Sequence, residues 1–302
     1  MKKVAFLTMD VETFFDTSCI AEKGIPYDGD YDAKQGFADF VDLLDSFGAK
    51  ATLFLTDSVL DSWSDVISRC VGGGHELAVH ALVHRSPVGQ KVENFVSEIC
   101  QMRQKIQDKF GATVSGYRAP CFGITDEQLV ALQNIGFRYD SSALNFKSAA
   151  RSGNVDLSDF TKLSDCVYQK DDFWEIKPPV GKWLFGKIPV GGGAYLRMIP
   201  RFAAKSVLKN HLKIADSYVF YVHPFELTTC DYPQTKYLSA GERLFVNRGR
   251  KTYLGFVEEL VKLLVQNGYE FNTMSNYVWQ LSNKKQPPRN VTDDIKLNSG
   301  QK

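Results

Sequence analysis

Asp10-Val-Glu12 and His80-Ala-Leu-Val-His84 place carboxylates and imidazoles at spacings that can serve one metal ion. The chain has only five histidines: His75, His80, His84, His211 and His223. His80 and His84, four residues apart, can both reach one ion from a helical turn or a tight loop. On an extended backbone Asp10 and Glu12 project to the same side. One carboxylate beside two imidazoles, with room for water, is the donor set of a hydrolytic zinc site, and it leaves a second carboxylate to act as a base. A zinc-bound water has a pKa of about 7, so hydroxide becomes available near neutrality. His75-Glu76 begins like a zinc-protease signature, but the next histidine lies five residues on, where that signature needs four.

Three further residues extend the set. Arg118 stays protonated and suits an ion pair that keeps a neighbouring base ionised. His223 can act as a general acid if a carboxylate orients its far nitrogen, and Asp140 is the expected partner. Cys121 gives no sign of a lowered thiol pKa, so a thiol nucleophile is not expected.

These residues gain force from the elements that carry them. Residues 3–9, Ala51–Thr56, the run from Gly72–Gly74 that leads to His80, 113–117, 137–139, Trp174–Lys177 and Ser217–Val222 read as strands, the last as a fully buried one. Phe37, Phe40, Val41, Leu44 and Phe47 form a helical stripe, as do the apolar positions of 90–110 and 251–267. Asp57 and Thr125 stand where helix caps are expected. The stretch 145–200 is irregular, with a flexible turn expected at Gly191–Gly193. Strands alternating with helices imply an α/β fold with a mainly parallel sheet. Asp10 and Glu12, His80 and His84, Arg118, Asp140 and His223 each follow directly on one of those strands. In a (β/α) barrel such strand ends converge on one face.

At this point the chain resembles the polysaccharide deacetylase (NodB-homology) family, in particular the branch with Asp-x-Glu at the first strand. The resemblance rests on Thr8-Met-Asp10-Val-Glu12, His80-Ala-Leu-Val-His84, Gly116-Tyr-Arg118-Ala-Pro120, Phe137-Arg-Tyr-Asp140-Ser-Ser and Tyr221-Val-His223-Pro-Phe-Glu226. These blocks fall in the family's order across residues 4–226. It implies a distorted (β/α) barrel of about seven parallel strands. It also implies a divalent metal, most simply Zn²⁺, held by Glu12, His80 and His84. Asp10 then matches the catalytic base, Arg118 the residue that steadies it, His223 the general acid and Asp140 its partner. The backbone N–H of Cys121 matches the oxyanion donor. Glu12 is one methylene longer than the family's usual aspartate, and His-Pro-Phe stands where relatives often have His-Pro-Trp.

The expected function is metal-dependent removal of an acyl group, N-acetyl first, from a sugar or polysaccharide. Alternatives are a same-fold amide hydrolase on a small molecule (allantoinase-like, or a sugar deformylase) and an inactive carbohydrate-binding protein. With 36 basic and 35 acidic residues there is no charge field for nucleic acid. The apolar run before Asp10 is too short for a signal peptide, and nothing approaches a transmembrane span. Six scattered cysteines without Cys-x-x-Cys spacing fit reduced thiols, and the cytoplasm is the expected location. A single domain is expected over 1–282, followed by a disordered tail over 283–302.

Overall fold

The computed structural model describes residues 2–144, 155–183 and 186–284. The chain runs β1 (Lys3–Val11), α1 (Ser18–Ala21), α2 (Lys34–Ser46), β2 (Ala51–Thr56), α3 (Asp57–Leu60), α4 (Ser64–Gly72), β3 (Glu76–Ala81), α5 (Val92–Phe110), β4 (Gly116–Tyr117), α6 (Asp126–Asn134) and β5 (Tyr139–Asp140). There follow β6 (Thr161–Lys162), β7 (Val167–Lys170), β8 (Phe173–Ile176) and an antiparallel pair, β9 (Val180–Trp183) with β10 (Gly186–Pro189). The chain then forms α7 (Gly193–Met198), α8 (Arg201–Ile214), β11 (Ser217–Val222), α9 (Ala240–Asn247), α10 (Tyr253–Gln266), β12 (Tyr269–Phe271) and α11 (Met274–Lys284). The tail expected from residue 283 lies outside the described residues from 285 on.

The main sheet has the order β11-β1-β2-β3-β4-β5-β8-β7-β6, with β12 pairing the start of β1. From β11 to β8 all neighbours are parallel, which gives the seven-strand parallel run; β7 and β6 add an antiparallel edge. The sheet curls until its far edge approaches its start. There Cys166 N–H donates to Ser217 Oγ at 2.8 Å and Tyr221 N–H to Gly191 O at 2.7 Å.

Curling makes the two-residue period of a strand into a choice between an inner and an outer face. Along β1, Ala5, Leu7, Met9 and Val11 join the large cluster under the helices, whereas Val4 and Phe6 join an inner cluster with Phe54, Ala78, Trp174 and Val219. Burial on both faces explains why β1 and β11 read as nearly unbroken apolar runs. Met274 and Val278 of α11 belong to the same inner cluster, and Met274 N–H donates to Thr52 Oγ1 at 3.0 Å. One end of the curled sheet is therefore filled. The inner rows of β1, β3 and β11 continue toward the other end as Thr8 and Asp10, as His80, and as Tyr221 and His223. Among the described residues, no helix is long and apolar enough to cross a membrane.

Some local expectations are corrected. The strand expected over 113–117 contracts to Gly116–Tyr117. Asp57 does not cap α3; Thr56 holds the N-cap position and Asp57 receives Lys105 Nζ at 2.7 Å. Gly191–Gly193 is not a mobile turn. It lies along β11, with Gly192 bridged to Tyr221, and a Cβ on Gly192 would stand 2.0 Å from Tyr221 O. Gly192 also has φ 126°, which side-chain-bearing residues avoid. Gly192→Ala is expected to cost about 3 kcal/mol or more, from overpacking and backbone strain together. Urea unfolding of the variant beside wild type measures this, and an unchanged midpoint would contradict the packing.

Candidate active site

The open end of the curled sheet holds a cavity of about 480 Å³ with Asp10, Glu12, His80, His84, Cys121 and His223 in its lining. Its outer wall comes from α1, α7 and α9 through Ser18, Tyr195 and Phe245. A groove of about 740 Å³ by Tyr31, Tyr232 and Arg250 carries none of the chemical residues above. Arg250 there is 1% exposed and donates to the carbonyls of Thr228 and Cys230.

Glu12, His80 and His84 each direct one ligand atom so that all three lie within 4.8 Å of one another. Glu12 Oε2 is 2.7 Å from His84 Nε2 and 3.9 Å from His80 Nε2. For metal–ligand bonds of about 2.1 Å, tetrahedral ligands stand about 3.4 Å apart, which these distances bracket. His80 Nδ1 donates to Arg118 O at 2.7 Å, which leaves Nε2 as a lone pair toward the cavity. Burial lowers the His80 pKa to about 4, against the pull of Asp10, so the ring is neutral as a ligand must be. Glu12 Oε2 is buried, and beside its 2.7 Å contact with His84 Nε2 it has no hydrogen-bond partner among the described residues. A buried anionic oxygen facing two imidazoles fits a divalent cation. The extra methylene of Glu12 does not carry its carboxylate away from the histidines.

Asp10 lines the same cavity and is held by Arg118. Arg118 NH1 donates to Asp10 Oδ1 at 2.6 Å and to Thr8 Oγ1 at 2.9 Å. Arg118 is fully buried, with Nε on Ser141 O, NH2 on Ser141 Oγ, and its guanidinium 4.1 Å above the Phe54 ring. Burial opposes ionisation of Asp10, but Arg118, His80 and His223 outweigh it and hold the carboxyl below its ordinary range. Asp10 is therefore an anion near neutral pH.

His223 Nε2 lies 3.8 Å from Asp10 Oδ2. Its Nδ1 lies 2.8 Å from Glu226 Oε2, which also accepts the His223 backbone N–H at 3.0 Å. Burial holds the Glu226 pKa up, yet Arg197 and His223 bring it down to about 2, so Nδ1 must carry the proton in that bond. Burial works against the charge on His223 too; the Glu226 bond and the charges of Glu12 and Asp10 overcome it and push His223 up to about 9.

The pairing of His223 with Asp140 is thus corrected. Asp140 accepts from Ser142 N at 2.9 Å and Ser142 Oγ at 2.7 Å. Its neighbour Glu175 is driven well above the ordinary carboxyl range by burial and then by the Asp140 charge, so the two acids share a proton. Ser142 Oγ in turn accepts Ala119 N–H at 2.8 Å. Asp140 therefore braces the turn that carries Arg118 and Cys121 rather than the imidazole.

In that turn, Cys121 and Phe122 have φ of 57° and 56°, left-handed values that are strained for side-chain-bearing residues. Cys121 Sγ lies 3.3 Å from Ser18 Oγ. His75 and Glu76 serve the scaffold: His75 Nδ1 accepts Ala51 N–H at 3.1 Å, and Glu76 accepts from Thr52 and Tyr139 hydroxyls at 2.7 Å each.

Glu226 was missed as the partner of His223. The signal was its position three residues on, with its carboxylate returning to the His223 backbone and side chain as in a capping box. Arg197, which binds Glu226, stands in the irregular stretch after the glycines and carried no signal.

Residues 17–139 match the family model Polysaccharide deacetylase, and residues 141–279 match Domain of unknown function (DUF3473). Strands of both stretches lie in the one curled sheet. A peptidoglycan deacetylase of Helicobacter pylori (strain ATCC 700392 / 26695) is 24% identical over 110 residues, which are 36% of this chain and 38% of that protein's length. A crystallised Mycobacterium smegmatis protein assigned as a polysaccharide deacetylase shares the fold with a TM-score of 0.60 at 17% identity, over 96% of this chain and 94% of that one. The chitin deacetylase of Colletotrichum lindemuthianum does so with a TM-score of 0.52 at 13% identity, over 91% of this chain and 87% of that one. The chain thus matches the polysaccharide deacetylase family model through the stretch that bears His80, His84 and Arg118, and shares the fold of these solved structures over nearly its whole length.

Proposed function

We propose that this protein is a metal-dependent hydrolase that removes an acyl group, N-acetyl by preference, from a sugar or polysaccharide. The observation that carries the reading is the convergence of Glu12, His80 and His84 within 4.8 Å of one another, in a cavity also lined by Asp10 and His223. Held by those three ligands, a divalent ion such as Zn²⁺ would polarise the acyl carbonyl and acidify a water.

The chain's own groups divide the rest of the work. Asp10 takes a proton from the attacking water at Oδ2, the oxygen that Arg118 leaves open. The backbone N–H of Cys121, presented by the strained turn after Pro120, donates to the oxyanion that develops on the carbonyl. Such a donor contributes about 3 kcal/mol to the transition state. His223 delivers a proton from Nε2 to the departing amine while Glu226 holds its other nitrogen. The match to the polysaccharide deacetylase model and the likeness to a peptidoglycan deacetylase of Helicobacter pylori support an acetylated saccharide as the substrate.

Elemental analysis of wild type beside His80→Ala tests the site. About one equivalent of zinc or another divalent ion per chain is expected in wild type and none in the variant. Absence of metal from both proteins after zinc is supplied would end the metal-dependent reading.

A further inference from the structure

Arg197 lies outside every motif that pointed to the site. It stands in α7, is 4% exposed, and its Nε donates to Glu226 Oε1 at 2.7 Å. NH1 donates to Arg248 O at 2.7 Å and to Val246 O at 3.3 Å, tying the guanidinium to the C-terminal end of α9. The other oxygen of Glu226 holds His223 by Nδ1 and by the backbone N–H. A line thus runs from α9 through two buried groups, Arg197 and Glu226, to the imidazole whose Nε2 faces Asp10.

We propose that Arg197 is a positioning residue for the proton donor: it fixes the Glu226 carboxylate so that His223 presents Nε2 to the leaving atom. The inference rests on the acyl-hydrolase reading of the site. A glutamate has three side-chain torsions, and the two bonds from His223 both fall on Oε2, so they leave the carboxylate free to turn about that oxygen. A planar guanidinium anchored by two of its nitrogens stops that turning, because the carboxylate must lie in its plane to accept from Nε. Arg197 touches neither water nor acyl group in this scheme. Its effect is confined to the step in which the leaving group is protonated.

That confinement makes the proposal testable with two acetyl substrates that differ in what departs. An N-acetylglucosamine oligomer must expel an amine, which needs a proton; 4-nitrophenyl acetate expels a phenolate, which does not. In the metal-loaded protein, Arg197→Met is expected to lower kcat on the oligomer by about 10²-fold, the low end for loss of general acid help, at unchanged KM. Ester turnover is expected to stay within about threefold. Equal loss on both substrates would overturn the proposal and leave Arg197 a structural ion pair. Arg197→Lys keeps the buried charge and guards against a variant that fails to fold; it is expected to lose amide turnover as well, and full activity would overturn the planar-anchor argument. Wild type that cleaves the ester but no acetylated sugar would refute the proposed substrate, not the positioning. Histidine ¹⁵N spectra of the same proteins decide the positioning without activity: His223 is expected to show a fixed Nδ1–H in wild type and to lose it in Arg197→Met. An unchanged His223 signal in the variant would overturn the proposal.

Discussion

Asp10→Asn is expected to bind metal as wild type does and to turn over about 10²–10⁴-fold more slowly, the range for removal of a general base. The asparagine keeps the shape of the side chain, and its oxygen can still accept from Arg118 NH1, so the wall of the cavity survives. What is lost is basicity at Oδ2, the oxygen 3.8 Å from His223 Nε2. The proposed metal ligands are Glu12, His80 and His84, none of which needs Asp10 for its orientation; His80 is held by Arg118 O instead. Metal content by elemental analysis and initial rates on one acetylated substrate give both halves of the result. Turnover within a few-fold of wild type would transfer the role of base to another group. Loss of metal together with activity would make Asp10 a ligand.

Removing the arginine is expected to act on stability rather than on chemistry first. Arg118→Met should cost about 3–5 kcal/mol, as breaking a buried ion pair leaves one charge uncompensated. Methionine fills much of the aliphatic path but leaves Asp10, Thr8 and Ser141 without their donor. The penalty depends on pH in a defined direction. The folded Asp10 pKa is depressed, so the stability drawn from the pair is present above the unfolded carboxyl pKa and is lost as pH falls through the lower folded value. The gap between wild type and variant should therefore be wide near neutral pH and narrow in acid. Urea midpoints taken at pH 7 and pH 3 measure it, and a constant gap would mean that packing, not charge, is what Arg118 supplies.

The residues of the site were legible because each continues an inner row of a strand. Asp10 and Glu12 obey the two-residue period that puts Val4 and Phe6 inside, and His80 follows Ala78 in the same way. Only the apolar runs before them are needed to see this. The partner of His223 was not legible by the same rule. Asp140 ends a strand as well, but Tyr139 takes the inner place on β5, and the Asp140 carboxylate turns back into its own loop, where Ser142 offers two donors within hydrogen-bond reach. Composition misled at Gly191–Gly193, where small residues meant close approach to β11 rather than freedom. Arg197 and Arg250 illustrate the remaining gap: nothing local distinguishes a basic residue in solvent from one drawn under a loop to satisfy carbonyls.

The order of strands in the sheet bears on how the protein comes into being. β1 lies between β2 and β11, so in synthesis it waits for a strand made some two hundred residues later before both its edges are paired. By residue 84 the three proposed metal ligands have been made, and by residue 118 the arginine that holds Asp10. The imidazole that must release the leaving group arrives with β11, directly after the strand that seals the open flank of β1. An unfinished chain can therefore own the donor atoms for an ion and still be chemically silent. Competence comes in a single late event, when residues separated by some two hundred positions zip together, and that long-range pairing is the slow kind.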